Sequence, residues 1–163
     1  MKTLVISAWL VGSASTALAC TLTPLFSPYD QIRPMLEQEI AHARQTIHCS
    51  LFGISSPELA SRLITSAKRG VEVQIGLDKK QAALPSSLHR LIKRAGAEVF
   101  IKKTGVLEHN KFCVLDGEVV VMGSWNWSKH AQTQDNSELI IKACPPIVDR
   151  FEGAFQRIKE RDR

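Results

Sequence analysis

The sequence predicts one α/β domain with a mixed, largely parallel central sheet flanked by helices on both faces. Three observations carry this. Helical and extended apolar patterns alternate from Asp30 to Lys102, the order expected of strands joined by crossover helices. An Asp116-Gly117 pair separates two apolar runs, a strong hairpin signal. A final amphipathic pattern closes the chain. The 163 residues suffice for a single sizeable core. Hydrophobic residues make up 44% and charged residues 23%, which excludes a disordered chain. A net charge of +5 and a pI near 9.2 suit a polyanionic partner, either nucleic acid or an anionic membrane.

Residues 1–19 read as a leader rather than as part of the fold. Lys2 precedes an apolar stretch from Leu4 to Val11, and small residues end at Ala17-Leu18-Ala19. That is the layout of a secretory signal peptide. A retained anchor facing the periplasm is the alternative and would associate the protein with the membrane through its N-terminus. Cys20 after Ala19 also raises lipid attachment, although Ala17-Leu18 fits that processing poorly. The single domain then spans 20–163, in a periplasmic or secreted protein.

The first mature residues, TLTPLFSPYD, read as an irregular, Pro-containing segment. Ile32, Leu36, Ile40 and Ala43 recur at helical spacing, with Asp30 as candidate N-cap. TIHCSLFGIS is a buried strand. The next helix opens on Ser56-Pro57 and closes on Lys68-Arg69-Gly70, so both ends are signalled. VEVQIGL is a strand ending at Asp78, SSLHRLIKRAG a basic helix and AEVFIK another strand. KFCVLD and VVVMG flank the hairpin turn, and SELIIKA adds a strand. In the closing helix Val148, Phe151 and Phe155 share one face.

Export would place Cys20, Cys49, Cys113 and Cys144 in an oxidising compartment. Four cysteines allow three full pairings, and spacing does not choose among them. Cys49 and Cys113 lie in apolar strands, where buried thiols and a disulfide are both open readings. The spacings contain no zinc-type Cys-x-x-Cys.

The chemistry concentrates in EHNKFCVLDGEVVVMGSWNWS, Glu108 to Ser128. On a strand His109 and Lys111 project from one face, while Phe112 and Val114 point away. An ammonium beside an imidazole favours an anion and repels a metal cation. Ser124 and Asn126 are likewise two apart, and their hydroxyl and amide suit phosphate oxygens. Gly123 lets the backbone come close. A histidine attacks phosphorus best when an acceptor holds its other ring nitrogen. Glu138, at the start of the next strand, is the candidate for that role. Asp116 lies five residues beyond Lys111 and faces oppositely, so it is read as a structural member at the turn. The His-x-Lys-x4-Asp match alone arises by chance in about one chain of this size in a hundred. Adding Gly-Ser-x-Asn lowers that by about three orders of magnitude.

His109-x-Lys111-x4-Asp116-x6-Gly123-Ser124-x-Asn126 resembles the HKD motif of the phospholipase D superfamily, and Asn136-Ser137-Glu138 is similar to that family's downstream glutamate. Phospholipases of the superfamily usually carry two motif copies, whereas this chain has one. Length, single motif and leader are similar to the small bacterial EDTA-resistant endonucleases. The resemblance implies a phospholipase D/nuclease fold and a homodimer whose one active site joins two half-sites. It also implies metal-independent, cofactor-free hydrolysis of DNA, and of RNA as a further candidate, through a phosphohistidine. Two rivals remain. One is a hydrolase of phosphatidyl lipids or cardiolipin. The other is a DNA-binding or uptake component with incidental hydrolysis.

Around the motif, Trp125 and Trp127 are candidates for stacking on bases, although core packing is the commoner role of such residues. Lys129 and His130 are candidate substrate contacts. Scattered basic residues, among them Lys79, Lys80, Lys102 and Lys103, can contribute phosphate contacts without reading sequence. His42 and His89 read as helix-surface residues.

Overall fold

The apolar patterns fold as strands and helices largely where expected, but most strands pair in the opposite direction. The computed structural model describes residues 19–103 and 105–162. The expected leader therefore lies outside the described residues, apart from its last position. The strands are β1 (Thr21–Ser27), β2 (Thr46–Leu51), β3 (Glu72–Leu77), β4 (Glu98–Ile101), β5 (Lys111–Leu115), β6 (Val119–Gly123) and β7 (Asn136–Lys142). The helices are α1 (Ile32–His42), α2 (Pro57–Lys68), α3 (Lys79–Ala83), α4 (His89–Arg94) and α5 (Pro145–Asp162), with a 3-10 turn at Ala131–Thr133. The strands form a seven-stranded sheet in the order β1-β7-β6-β5-β2-β3-β4.

The largely parallel sheet expected from the sequence is corrected to a mixed, mostly antiparallel one. Only the pairs β2–β3 and β3–β4 are parallel. The pairs β1–β7, β7–β6, β6–β5 and β5–β2 are antiparallel. Connections explain this. Helices cross over between β2, β3 and β4, as parallel pairing requires. After β4 a hairpin and a loop join the remaining strands. The hairpin turn forms as predicted, with Asp116 at φ 53° and Gly117 at φ 64°, the doubly left-handed turn that matches strand twist.

Helices do cover both faces. Ile32, Leu36 and Ile40 of α1, Leu59 and Leu63 of α2 and Ile92 of α4 pack on Ile47, Cys49, Leu51 and Ile75. On the other face Val148 and Phe155 of α5 meet Phe112, Val114, Val120 and Ile141. Each fully buried side chain of this size contributes about 1.5–3 kcal/mol.

Several local expectations are corrected. TLTPLFS is not irregular but the edge strand β1, where Pro24 is tolerated because an edge need not donate every N–H. Asp30 does not cap α1: its carboxylate accepts the Phe26 N–H at 2.7 Å, closing the turn after β1. His89 is buried rather than on the surface, with Nδ1 2.9 Å from the Ser87 hydroxyl. Burial, then the charges of Arg90 and Lys93, hold its pKa below the usual imidazole value. The short helix α3 had no periodicity to announce it. Asp78 caps it, accepting the N–H groups of Lys80 and Gln81 at 2.9 and 3.1 Å.

Of the three cysteine pairings one is present. Cys49–Cys113 bridges adjacent central strands, and Cys20–Cys144 ties the start of β1 to the β7–α5 connection. Cys20–Cys144 joins positions 124 residues apart. In a chain-entropy account a closure of that length stabilises by about 4–5 kcal/mol.

Candidate active site

Strand direction gathers the motif at one rim of the sheet. β2 and β3 end there, β5 begins there, β6 ends there and β7 begins there. That rim, outside the carboxyl ends of parallel strands, is where α/β sheets commonly bind ligands.

His109 sits in the loop just before β5, two residues ahead of the strand on which it was expected. Lys111 is the first residue of β5, and its ammonium turns back toward the histidine. Nζ donates to the His109 carbonyl at 2.8 Å and lies 3.5 Å from His109 Nδ1. The pair expected from the spacing is therefore brought together. The imidazole is exposed while Lys111 is buried. Burial pulls the Lys111 pKa below its ordinary value, and the negative charges of Glu108 and Glu138 pull the other way.

Glu138 lies across the ladder from Gly123. It is 2% exposed, and neither carboxyl oxygen has a hydrogen-bond partner of normal geometry. Burial pushes its pKa up to about 8, against weaker opposing pulls from the Trp125 N–H and the Lys111 charge. No hydrogen bond joins Glu138 to His109 among the described residues, so the orienting contact expected between them is not made within this chain. Gly123 has a spatial reason to be glycine: a Cβ there would collide with the Ser137 carbonyl and the Glu138 carboxyl.

Ser124 is exposed and anchored to the start of β7. Its N–H donates to the Ser137 carbonyl at 2.9 Å, and its hydroxyl accepts the Ser137 N–H at 3.0 Å. Asn126 is half-buried, and its Oδ1 has no partner. Lys129 and His130 are exposed on the following loop. Trp125 and Trp127 are corrected from stacking candidates to core residues, 0% and 1% exposed. Their rings offer no free face to a base.

Asp116 stands at the far end of the same hairpin. Its carboxylate accepts N–H groups from Arg44, Gln45 and Thr46, each within 2.8–2.9 Å. Burial would raise its pKa, but these three donors and the Arg44 charge outweigh that and hold it below the usual carboxylate range. It pins the α1–β2 turn to the hairpin.

Two neighbours of the site escaped the sequence reading. Phe52, just past β2, meets the His109 ring edge-to-face at 4.8 Å and lies under Lys111 Nζ at 5.4 Å. No pattern marks an aromatic after a buried strand as a contact of the motif. Glu108 directly precedes the histidine. It accepts the backbone and side-chain N–H of Asn110 at 3.0 and 2.7 Å. Lys102 Nζ lies 3.8 Å from Glu108 and 3.2 Å from Asp162, all three buried. Lys102 is thus a buried anchor of the histidine loop, not a surface phosphate contact. Adjacency to His109 was the one available signal.

Fold and site together set an exposed histidine beside a buried lysine at one rim of a mixed α/β sheet. Residues 36–159 match the family model described as cardiolipin synthase, PLD-like domain. The chain is 30% identical over 122 residues to a mitochondrial cardiolipin hydrolase of Xenopus laevis, covering 75% of this chain and 58% of the relative. It is 30% identical over 127 residues to a phospholipase D of Rickettsia bellii, covering 77% and 63%. Among solved structures, Nuc from Salmonella typhimurium, a phospholipase D family member, superposes with a TM-score of 0.82 at 22% identity. That match covers 89% of this chain and 97% of Nuc. The chain belongs to the phospholipase D-like family, a superfamily of phosphodiester hydrolases. It spans about half to two thirds of the length of these curated relatives.

Proposed function

We propose that the protein is an exported, metal-independent nuclease that hydrolyses DNA, or RNA, without sequence preference, at an active site completed by a second copy of the chain. The observation that carries the shared site is an imbalance. One chain offers one motif histidine, whereas the reaction needs a nucleophile and a general acid. The same rim leaves the Glu138 carboxyl and Asn126 Oδ1 buried without partners, which is costly unless something else approaches. A two-fold contact would bring a second His109 to the first.

In this reading His109 of one subunit attacks phosphorus, forming an N–P bond as the P–O bond to the leaving group breaks. The second His109 gives its proton to the departing oxygen. It then takes a proton from water, whose oxygen attacks phosphorus and breaks the N–P bond. Lys111, Ser124 and Asn126 hold the phosphoryl oxygens as charge builds. Lys111 disfavours a metal cation at the same place. The two disulfides fit an oxidising compartment and so support export. No described helix is long and apolar enough to cross a membrane.

A lipid substrate is the second reading, and one observation favours it. Val106 and Leu107, in the loop leading to His109, are 58% and 56% exposed, as an interfacial enzyme would place them. The net charge of +5 and the near-complete match to Nuc, a chain of similar span, favour nucleic acid. Incubation with single-stranded DNA, plasmid and cardiolipin vesicles in EDTA decides between them. DNA cleavage in EDTA is expected. Hydrolysis of lipid alone would overturn the nuclease reading, and loss of cleavage in EDTA would overturn the metal-free mechanism.

A further inference from the structure

Immediately beyond Asn126 the rim holds a cleft of about 230 Å³. Its walls come from the turn after β2, Gln81 of α3, the α3–α4 connection and the segment from Asn126 to Gln134. Backbone hydrogen bonds fix them to one another. Ser55 and Ser56 donate to the Trp127 carbonyl at 2.9 and 3.0 Å, and Leu88 donates to the Ile54 carbonyl at 2.9 Å. The cleft is therefore formed before any ligand arrives.

Its chemistry differs from that of the phosphate site. No charged side chain lines it among the described residues. Ser55, Ser86 and Ser87 supply hydroxyls, and Gln81 and Gln134 supply amides. Phe52 and Leu84 add apolar surface. Such a lining has no charge with which to attract a phosphate. It suits an uncharged group bearing both donors and acceptors, with an apolar body. A nucleobase has that character, and amide side chains pair with base edges in two-point fashion. The volume falls below the roughly 300–1,000 Å³ of sites for larger ligands, so it fits one such unit. Two residues join it to the reaction centre. Asn126 opens into it with a buried, unpartnered Oδ1. Phe52 touches both His109 and Lys111.

We propose that this cleft receives one unstacked nucleoside flanking the scissile phosphate, and that the protein consequently cleaves single strands in preference to duplex. The proposal rests on the nuclease reading. A base in duplex would first have to leave its stack, at a cost of a few kcal/mol, whereas a single strand presents it freely.

The test uses the intact protein and two variants, Ser86→Trp to fill the cleft and Gln81→Ala to remove an amide. Initial rates are measured in EDTA on a single-stranded oligonucleotide, on the same sequence as duplex, on methyl p-nitrophenyl phosphate and on cardiolipin vesicles. Thermal melting checks that each variant folds. The unaltered protein should favour the single strand over duplex at least tenfold. Ser86→Trp should lower kcat/KM on the single strand at least tenfold, mainly through KM, and Gln81→Ala severalfold. Hydrolysis of the small diester should change less than twofold. An equal fall on both substrates, unchanged cleavage of the single strand, or a loss confined to lipid would each overturn the assignment. Failure of the unaltered protein to cleave any nucleic acid would overturn the nuclease reading as well, and is seen before any variant is made.

Discussion

The two ends of the β5–β6 hairpin treat a nearby carboxyl group in opposite ways. At the turn, Asp116 receives three backbone N–H groups, and they hold its pKa low. At the rim, Glu138 is more deeply buried, receives no hydrogen bond of normal geometry, and has its pKa driven up to about 8. A carboxylate with three of its about four acceptor sites filled by backbone N–H groups has little left for a substrate and serves the fold. An unsaturated one weakens the fold and is available to whatever approaches. The motif's aspartate thus serves the fold, while the proposed function gives the downstream glutamate to chemistry, at opposite ends of one short stretch of sheet.

If that division holds, substitutions at the rim should cost activity and spare stability, and substitutions at the turn should do the reverse. His109→Ala gives the largest expected effect, a loss of about a thousandfold or more in hydrolysis with an unchanged melting temperature. Full residual activity would remove the nucleophile assignment. Asp116→Ala should destabilise by about 2–4 kcal/mol in urea unfolding while the folded fraction keeps its rate within about threefold. The stability Asp116 supplies is present at neutral pH and lost as pH falls through its lowered pKa.

Glu138→Gln sharpens the contrast, because its sign is opposite. With a folded pKa near 8 against an ordinary 4.5, the native state binds more protons across that window. Stability therefore falls as pH rises from about 4.5 through about 8. The variant, which cannot ionise, should be more stable than the unaltered protein by about 1–3 kcal/mol at pH 9, equal to it near pH 4, and catalytically impaired. Parallel stability curves would break the comparison. Glu108→Gln should have the smallest effect, about 1 kcal/mol, since Lys102 keeps Asp162 as a partner. A several-fold fall in kcat at constant KM would show that Glu108 positions the histidine loop.

Much of this was legible in the sequence, for physical reasons. Alternation and caps placed β2, α2, β3 and the hairpin, because Ser56-Pro57 and Asp116-Gly117 are local signals. Spacing placed His109 beside Lys111, and opposite strand faces placed Asp116 away from them. Strand direction was not legible, since no local pattern records which neighbour a strand pairs with. Nor was β1, whose Pro24, with Pro28 just past its end, hid an edge strand that only β7 defines. The burial of Trp125 and Trp127 and the contact of Phe52 with His109 depend on packing between distant segments. Lys102 looked like any exposed lysine until Glu108 and Asp162 were found around it.

The central claim is that His109 forms a bond to phosphorus at a metal-free rim. It is tested most directly by acid-free denaturing quench of the protein during turnover of an oligonucleotide in EDTA, followed by mass analysis of its peptides. A nucleotidyl or phosphoryl adduct is expected on the peptide containing His109 and absent from His109→Ala. Turnover in EDTA with no adduct under conditions that preserve phosphohistidine, or an adduct on a different residue, would contradict it.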